Sequence, residues 1–182
     1  MFKPPNPKTN AFGRFARARS GVAAVEFSLV ILPFFLLTFG VAEIGMIGFA
    51  QTSLDFAVSE IGRDIRTGEA QLGGLSEDQI ENLLCDDINE FLVVDCDANL
   101  FIDVARFDSF VDAAAVASPI ADNDFDASGL GYDPGEPSDI VVVRAFYRWH
   151  VMTPLFEDVF SNIINGDRLL VSTMMFRNEP YQ

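Results

Sequence analysis

The chain has 182 residues and a net charge of −15, with 49% hydrophobic and 12% aromatic residues. This length allows one membrane span and one compact domain. The apolar content is sufficient for a folded core, which excludes disorder as the main state. An acidic surface repels nucleic acid, which excludes that class of partner.

Charge is distributed unevenly along the chain. Residues 51–182 hold 25 acidic and seven basic residues, a net charge of −18. Residues 1–20 hold no acidic residue and five basic ones, which are Lys3, Lys8, Arg14, Arg17 and Arg19. Basic residues beside a membrane span stay in the cytoplasm, so we expect a cytoplasmic N-terminus and a translocated acidic domain.

The longest apolar stretch runs from Val22 to Ala50 and is interrupted only by Glu26 and Glu43. At about 1.5 Å per residue, a helix of this length crosses a hydrocarbon core of about 30 Å. The stretch therefore predicts a transmembrane helix over residues 22–50, after a basic cytoplasmic leader over residues 1–21. A cleaved secretory signal is the rival interpretation, with a cut near Ala42 or Ala50, but its apolar region is usually only about 7–15 residues long.

The two glutamates are unusual in such a stretch. A carboxylate in a membrane helix costs roughly 2.5 kcal/mol or more, so it generally has a partner or a task. Glu43 lies towards the far end, where it can reach the membrane interface. Glu26 has two interpretations: an interfacial residue beside water and headgroups, or one half of a signal that begins at Gly21.

The region around Gly21 carries a family resemblance. A basic leader ending in Arg17-Ala18-Arg19-Ser20 precedes Gly21, four residues separate Gly21 from Glu26-Phe27, and the long apolar helix continues from there. This order is similar to the processing signature of type IV pilin-like proteins. The resemblance implies cleavage after Gly21 by a prepilin peptidase, which exposes Val22 as the new N-terminus. Val22 departs from the aromatic residue or Met often found there in conventional pilins.

Helical periodicity continues beyond the predicted span, from about Ile44 to Thr67. Membrane span and extension are predicted to form one helix that ends near Gly68 and the Gly73-Gly74 pair. The apolar face of the extension consists of Ile47, Leu54, Val58, Ile61 and Ile65.

A second helix is expected from Ser76, which has capping-box spacing with Gln79. Its predicted apolar face consists of Ile80, Leu83, Leu84, Ile88 and Phe91. Cys85 and Cys96 are the only cysteines, and in an oxidising compartment two such residues favour a disulfide over a metal site. A zinc site needs further ligands, and His150 is the only histidine, so we expect no metal and interpret His150 as a surface residue.

Three segments have strand character. Residues 100–107 predict a first strand and residues 168–177 a last one, and residues 140–152 predict the strongest strand from their β-branched and aromatic content. Its odd positions form an apolar face, consisting of Val141, Val143, Ala145, Tyr147, Trp149 and Val151. Thr153-Pro154 then predicts the start of an amphipathic helix that ends at Gly166.

The segment between the first two strands is rich in Asp, Gly and Pro. Asp122, Asp124 and Asp126 alternate as in a calcium loop, with Asp133 further on, but Ala127 occupies the place of the required glycine. We interpret Asp122–Asp133 as a solvated acidic loop, with calcium binding as the open alternative.

Several later motifs indicate one particular family among the pilin-like proteins. Glu43, the run Gly135-Glu136-Pro137-Ser138-Asp139, Thr153-Pro154-Leu155 and the closing Asn178-Glu179-Pro180-Tyr181 follow the leader in order. Together they resemble TadE-like proteins, pseudopilins of the Tad (Flp) pilus system, with TadF as a close relative. This implies a minor pilin-like subunit of the inner membrane, whose partners are other pilin-like subunits, the assembly machinery and a prepilin peptidase.

The sequence therefore predicts a single-pass α+β protein with a type IV pilin-like fold, in which a long N-terminal helix packs on a small antiparallel sheet. We expect residues 51–182 to form an extracytoplasmic domain without cofactor. No phosphate loop, nucleophile elbow, HExxH motif or histidine cluster points to an enzyme. A permanently anchored binding or sensory domain is the alternative function, which needs neither processing at Gly21 nor a partner pilin.

Overall fold

The computed structural model describes residues 20–91, 96 and 98–181, so the predicted leader lies almost entirely outside the described part. The chain divides into two compact units, one up to Ala42 and the other from Glu43 onward. The first unit, as far as it is described, is the apolar beginning of helix α1, Ser20–Thr67. Within the described residues, Gly21–Thr67 is a helix long and apolar enough to cross a membrane, with a mean hydropathy of 2.2 in its most apolar part.

The second unit begins with the rest of α1, which packs on a sheet. The predicted apolar face is confirmed: Leu54, Val58, Ile61 and Ile65 are fully buried, and Ile47 packs against them. On the other side of the helix, Glu60 and Arg63 form an exposed ion pair. Burial of this stripe therefore fixes which side of the helix faces the sheet.

Helix α1 ends where the sequence predicts. Gly68 has a φ of 84° and donates its backbone N–H to the carbonyl of Ile65 at 3.1 Å. A left-handed glycine closes a helix at no steric cost. A single further turn, α2 (Glu69–Gly73), leads to Gly74, which also has a positive φ.

The larger sheet of the described part has three antiparallel strands, β1 (Leu100–Phe107), β4 (Ile140–His150) and β5 (Asp167–Arg177), paired in that order. Two shorter strands, β2 (Ile120–Ala121) and β3 (Asp124–Phe125), form a separate hairpin. A long helix on a small antiparallel sheet confirms the predicted α+β class. In register, Val104 pairs with Val143, and Val143 pairs with Met174. The predicted face of β4 packs towards α1, because side chains alternate across a strand and the odd positions are apolar.

Helix α3 (Glu77–Phe91) packs beside β1. Three predicted apolar positions, Ile80, Leu84 and Ile88, are buried, whereas Leu83 is exposed, and the side chain of Phe91 lies outside the described part. The predicted capping box is half formed, because the Ser76 backbone N–H donates to Gln79 Oε1 at 3.0 Å. Cys85 of α3 and Cys96 form the expected disulfide, four residues before β1 begins.

The segment between β1 and β4 covers the other face of the sheet and has more structure than expected. It contains α4 (Phe110–Ala114) and the small hairpin β2 (Ile120–Ala121) and β3 (Asp124–Phe125). Phe125 packs on Phe146 and Phe101, and Ala113 packs on Ile140 and Val142. The acidic composition of the segment gives no sign of these short apolar contacts.

The connection from β4 to β5 departs from the prediction. In place of one amphipathic helix, residues 154–166 form two short 3₁₀ turns and the single helical turn α5, Glu157–Phe160. The helix breaks at Ser161, which is extended, and Asn165 has a φ of 76°. Ile163 is buried against Leu169 in a small core on the second face of the sheet, which continuous helix would not permit.

Candidate functional site

The residues of the predicted processing signal lie in the first turns of α1. Gly21, Val22, Glu26 and Phe27 are exposed, with 56% of Val22 and 64% of Phe27 accessible. Glu26 makes no hydrogen bond or ion pair with any residue of the described part. The four residues thus lie together in the first turns of α1, and their role in processing stays a prediction from the sequence.

Glu43 occupies a different environment, because its side chain is only 3% exposed. Its Oε1 atom accepts the backbone N–H of Met152 at 3.0 Å, and its Oε2 atom accepts the hydroxyl of Thr153 at 3.0 Å. Both carboxylate oxygens are therefore paired with the segment that leaves β4. This contact, the Glu43 clasp, joins the start of the second unit to a segment 109 residues further along the chain.

The clasp changes the predicted role of Thr153. The residue does precede a helical turn with Pro154 at its first position, but its side chain makes no cap hydrogen bond. The hydroxyl donates to Glu43 instead. Glu43 and Thr153 are 110 residues apart in the sequence, and no local signal connects them.

A second clasp lies at the other end of the domain, where the C-terminal segment meets the end of α1. The Glu179 backbone N–H donates to the Arg66 carbonyl at 2.8 Å, and Arg66 and Glu179 also form an ion pair. The Tyr181 ring packs directly on Gly68, where an added Cβ would overlap it. Gly68 is thus needed both for its positive φ and for this close approach.

The same C-terminal segment binds the Gly135-Glu136 turn, so two motifs that are far apart in sequence meet. The side-chain amide of Asn178 donates to the carbonyls of Pro134 at 2.9 Å and Glu136 at 3.1 Å, and Asn178 is 2% exposed. Burial raises the pKa of the Tyr181 phenol, and the carboxylates of Asp139 and Glu136 raise it further. We call this set of contacts the C-terminal clasp.

The two clasps hold opposite ends of the part of α1 that belongs to the domain. Strand β5 runs alongside α1 in the same direction: Gln51 donates to the Val171 carbonyl at 3.0 Å, and Gly62 lies against Met174 and Phe176. The Glu43 clasp therefore marks the end of the domain where the apolar stretch joins it, and the C-terminal clasp marks the distal end.

A buried ion pair fixes the second face of the sheet. Asp103 and Arg144 are directly opposite each other on β1 and β4, and their side chains are 6% and 11% exposed. Arg144 donates twice to Asp103 Oδ2, at 2.7 and 2.9 Å, and once to the Ala117 carbonyl at 2.7 Å. Asp103 Oδ1 accepts the Gly131 N–H at 3.1 Å, so the pair ties the covering segment to the sheet on both sides of its small hairpin.

A cavity of about 440 Å³ lies beside this pair, between the sheet and the covering segment. Of the charged groups that line it, Asp103 and Arg144 already bind each other and the backbone, and Asp126 accepts the Ser128 N–H. Their remaining capacity for a ligand is therefore small. The cavity reflects the structural role of the pair in holding the covering segment.

The aspartates of the predicted acidic loop serve local backbone structure. Asp122 and Asn123 have positive φ values at the tip of the β2–β3 hairpin. Asp126 caps a 3₁₀ turn by accepting the Ser128 N–H at 2.9 Å, and this hydrogen bond lowers the pKa of Asp126. Within the described part of the chain, no three His, Cys, Asp or Glu side chains converge into a metal-binding group. His150 is exposed, and its Nδ1 atom lies 3.0 Å from Asp167 Oδ1 on the neighbouring strand.

Residues 21–63 match the family model described as TadE-like protein. The matched segment contains the predicted processing residues, Glu26 and Glu43. No curated protein and no solved structure gives a significant match to the chain.

Proposed function

We propose that this chain, TadE-like over residues 21–63, is a minor pilin-like subunit required for assembly of a Tad (Flp) type pilus. The observation that carries the proposal is the position of the family match, which begins at Gly21. In this proposal a prepilin peptidase cuts the chain after Gly21, and other pilin-like subunits are its partners. The subunit does no chemistry of its own.

The proposed topology follows from charge. The five basic residues before Gly21 remain in the cytoplasm, and the apolar part of α1 anchors the protein in the inner membrane. The acidic domain then lies on the periplasmic or extracellular side. An oxidising environment there is compatible with the Cys85–Cys96 disulfide.

Glu26 is proposed to neutralise the N-terminus that cleavage creates. Val22 and Glu26 are four residues apart in α1, and residues at this spacing are neighbours on one face of a helix. After cleavage, the Val22 ammonium can pair with the Glu26 carboxylate of the same subunit or of a neighbour. Pairing lowers the cost of holding either charge in an apolar bundle.

The two clasps support a role for the domain as a unit fixed to its own helix. A subunit that is drawn from the membrane into an assembly bears load at the junction between helix and domain. The buried Glu43 contacts lie at this junction. The part of α1 from Glu43 onward is therefore held to the rest of the domain.

The test is the intact mass and N-terminal sequence of the full chain, purified from membranes with and without a co-expressed prepilin peptidase. We expect a peptidase-dependent N-terminus at Val22. The Gly21→Val variant should remain uncut, whereas Gly13→Val, the same change within the basic leader, should be cut as before.

Two other outcomes would refute the proposal. A chain that starts at Met1 in the presence of active peptidase favours a permanently anchored binding or sensory domain. A cut beyond Ala42 that does not require the peptidase indicates a secretory signal.

A further inference from the structure

Strand β5 forms one edge of the three-stranded sheet, and part of this edge is open. Leu169 binds the Asn162 side chain through its N–H and its carbonyl, and the Val171 carbonyl accepts a side-chain amide of α1, so these residues point outward. Because backbone groups alternate along an antiparallel strand, Thr173 and Met175 point outward as well. Within the described part of the chain, their outward N–H and carbonyl groups and the Val171 N–H make no hydrogen bond.

The opposite edge of the sheet, on β1, is covered by the chain itself. The Val104 N–H donates to the Gly131 carbonyl at 2.8 Å, and the Val104 carbonyl accepts the Asp133 N–H at 2.7 Å. An edge strand with unpaired backbone groups is a template for pairing with another strand. Only β5 offers such a template in the described part of this sheet, over residues 171–175, which we call the open edge.

The side chains of the open edge suit a neighbouring strand. Val171, Thr173 and Met175 are exposed on the second face of the sheet, with 37% of Val171 and 38% of Met175 accessible. Branched and apolar side chains of this kind favour cross-strand packing. Natural proteins commonly block an edge with Lys, Pro or a bulge, and residues 171–175 contain none of these.

The charge beside the open edge is negative. The Gln51 side-chain amide lies 3.0 Å from the Val171 carbonyl and 3.1 Å from Asp55 Oδ1, so the Asp55 carboxylate lies next to the edge. Asp55 is exposed and forms no ion pair within the described part of the chain. Arg177, at the end of β5, is directed to the ring of Phe110, 5.8 Å away. The edge therefore complements a basic partner.

We propose that the open edge binds an extended, basic segment of another protein, which adds a further strand to the sheet. In this mode of recognition the backbone supplies affinity, because the unpaired groups of the edge gain partners. Basic side chains of the segment are selected by Asp55 and by the net charge of −18 on residues 51–182. A second copy is disfavoured, because it carries the same charge. The inference rests on the sheet alone and is independent of cleavage after Gly21 and of pilus assembly.

The test uses the full chain in nonionic detergent and a fluorescent probe peptide, acetyl-Lys-Val-Thr-Val-Thr-Val-Lys-amide. Fluorescence anisotropy measures the dissociation constant of the peptide. One control peptide has Glu in place of both Lys residues. The other keeps the Lys residues but has N-methyl groups on its central amides, which blocks backbone pairing without a change of charge.

Two variants of the protein complete the design. Thr173→Pro removes an outward N–H and leaves the hydrogen bonds to β4 in place, because proline is tolerated where the N–H of an edge strand faces solvent. Thr173→Val, the matched control, keeps this N–H. Thermal unfolding verifies that both variants remain folded.

We expect N-methylation of the peptide and Thr173→Pro each to weaken binding about tenfold or more, because pairing along the edge is lost, whereas Thr173→Val binds as the parent does. The Glu peptide should bind more weakly than the Lys peptide, and Asp55→Asn should reduce this difference. In the parent chain, which needs no variant to fold, hydrogen exchange at the amides of Val171, Thr173 and Met175 should slow when the Lys peptide binds.

Failure of the Lys peptide to bind, or equal affinity for the N-methylated peptide, would overturn the proposal. Binding that leaves hydrogen exchange at the three amides unchanged would overturn it as well, since the peptide would then lie elsewhere. If exchange slows with rising protein concentration in the absence of peptide, a second copy is the occupant and the proposal is wrong.

Discussion

A single buried carboxylate, Glu43, holds the start of the folded domain. Replacement by Ala leaves the Met152 N–H and the Thr153 hydroxyl without acceptors in a buried environment. Loss of such partners costs about 1–3 kcal/mol. We therefore expect Glu43→Ala to lower the free energy of unfolding by this amount, measured by chemical denaturation of the full chain in detergent.

The matched control is Glu60→Ala, on the same helix. Glu60 is 45% exposed and its ion pair with Arg63 lies on the surface, so its removal costs less than about 1 kcal/mol. Glu43→Gln should have an intermediate effect, because the amide oxygen can still accept one hydrogen bond. Equal stability of the Ala variants at positions 43 and 60 would show that the Glu43 clasp contributes nothing.

A second residue, Glu81, makes stability depend on pH. Burial raises the pKa of Glu81 above its ordinary value of 4.5, and the nearby carboxylates of Glu77 and Asp78 raise it further. The unfolded chain then releases this proton first, so stability falls as pH rises from the unfolded pKa through the folded pKa. Glu81→Gln should therefore raise the melting temperature relative to the parent at pH 7 but not at pH 3, as thermal unfolding at the two values will show.

At the scale of elements, the Asp103–Arg144 pair joins the sheet to its covering segment. Removal of one partner leaves a buried charge without compensation, which typically costs about 3–5 kcal/mol. We expect Asp103→Leu and Arg144→Met each to be destabilising by this order, and the double variant to be more stable than either single one. Urea denaturation of the parent, the two single variants and the double variant measures the interaction energy between Asp103 and Arg144. If the losses of the single variants simply add in the double variant, the two side chains do not interact.

The end of α1 offers a similar test of the C-terminal clasp. Gly68→Ala places a methyl group where the Tyr181 ring lies and also strains a φ of 84°. Gly74→Ala strains a φ of 64° but meets no neighbour. Both should lose about 1 kcal/mol or more from strain, and only Gly68→Ala should also release the C-terminal segment, detected as faster proteolysis after Arg177.

Addition of Tyr181→Ala to Gly68→Ala removes the overlap but not the strain. If the clasp is formed as described, this second change should cost less in the Gly68→Ala background than in the parent chain. Equal costs in both backgrounds would show that Gly68 and Tyr181 do not interact.

The helices and strands that the sequence predicts well are those whose apolar residues repeat with one clear spacing. The stripe on α1 and the alternation in β4 each have one periodicity over more than two turns or ten residues, and both were confirmed. The turns of residues 154–166 show the limit. Leu155, Phe156, Val159 and Phe160 fit a helix by spacing, but the burial of Ile163 in a core on the second face of the sheet breaks it.

At the scale of the whole molecule, a contact is harder to predict when its two residues lie far apart in the sequence. The disulfide joins residues 11 apart and was expected from composition and compartment. The Glu43 clasp and the C-terminal clasp join positions far apart in sequence, and no periodicity encodes such contacts. Gly135-Glu136 and Asn178 are separate motifs in the sequence. The topology of the sheet brings them together, and Asn178 then binds the backbone of the turn.

In the assembled state, Glu26 is expected to act through its charge. Glu26 is exposed and has no partner within the described part of the chain, so its replacement should not disturb the fold. We expect Glu26→Gln to insert in the membrane and melt as the parent does, yet to impair pilus formation, because a neutral amide cannot compensate the Val22 ammonium. Membrane fractionation, thermal unfolding and counts of pili per cell measure the three properties.

Ser28→Ala is the matched control, two residues further along α1. The Ser28 hydroxyl donates only to the Ala24 carbonyl of its own helix, at 2.7 Å, so its loss should leave pilus numbers unchanged. If Glu26→Gln cells also carry normal numbers of pili, charge neutralisation at Val22 is not what Glu26 contributes. If pilus numbers fall in Glu26→Gln but not in Ser28→Ala, and cleavage after Gly21 is intact, the Glu26 carboxylate acts in a step after cleavage.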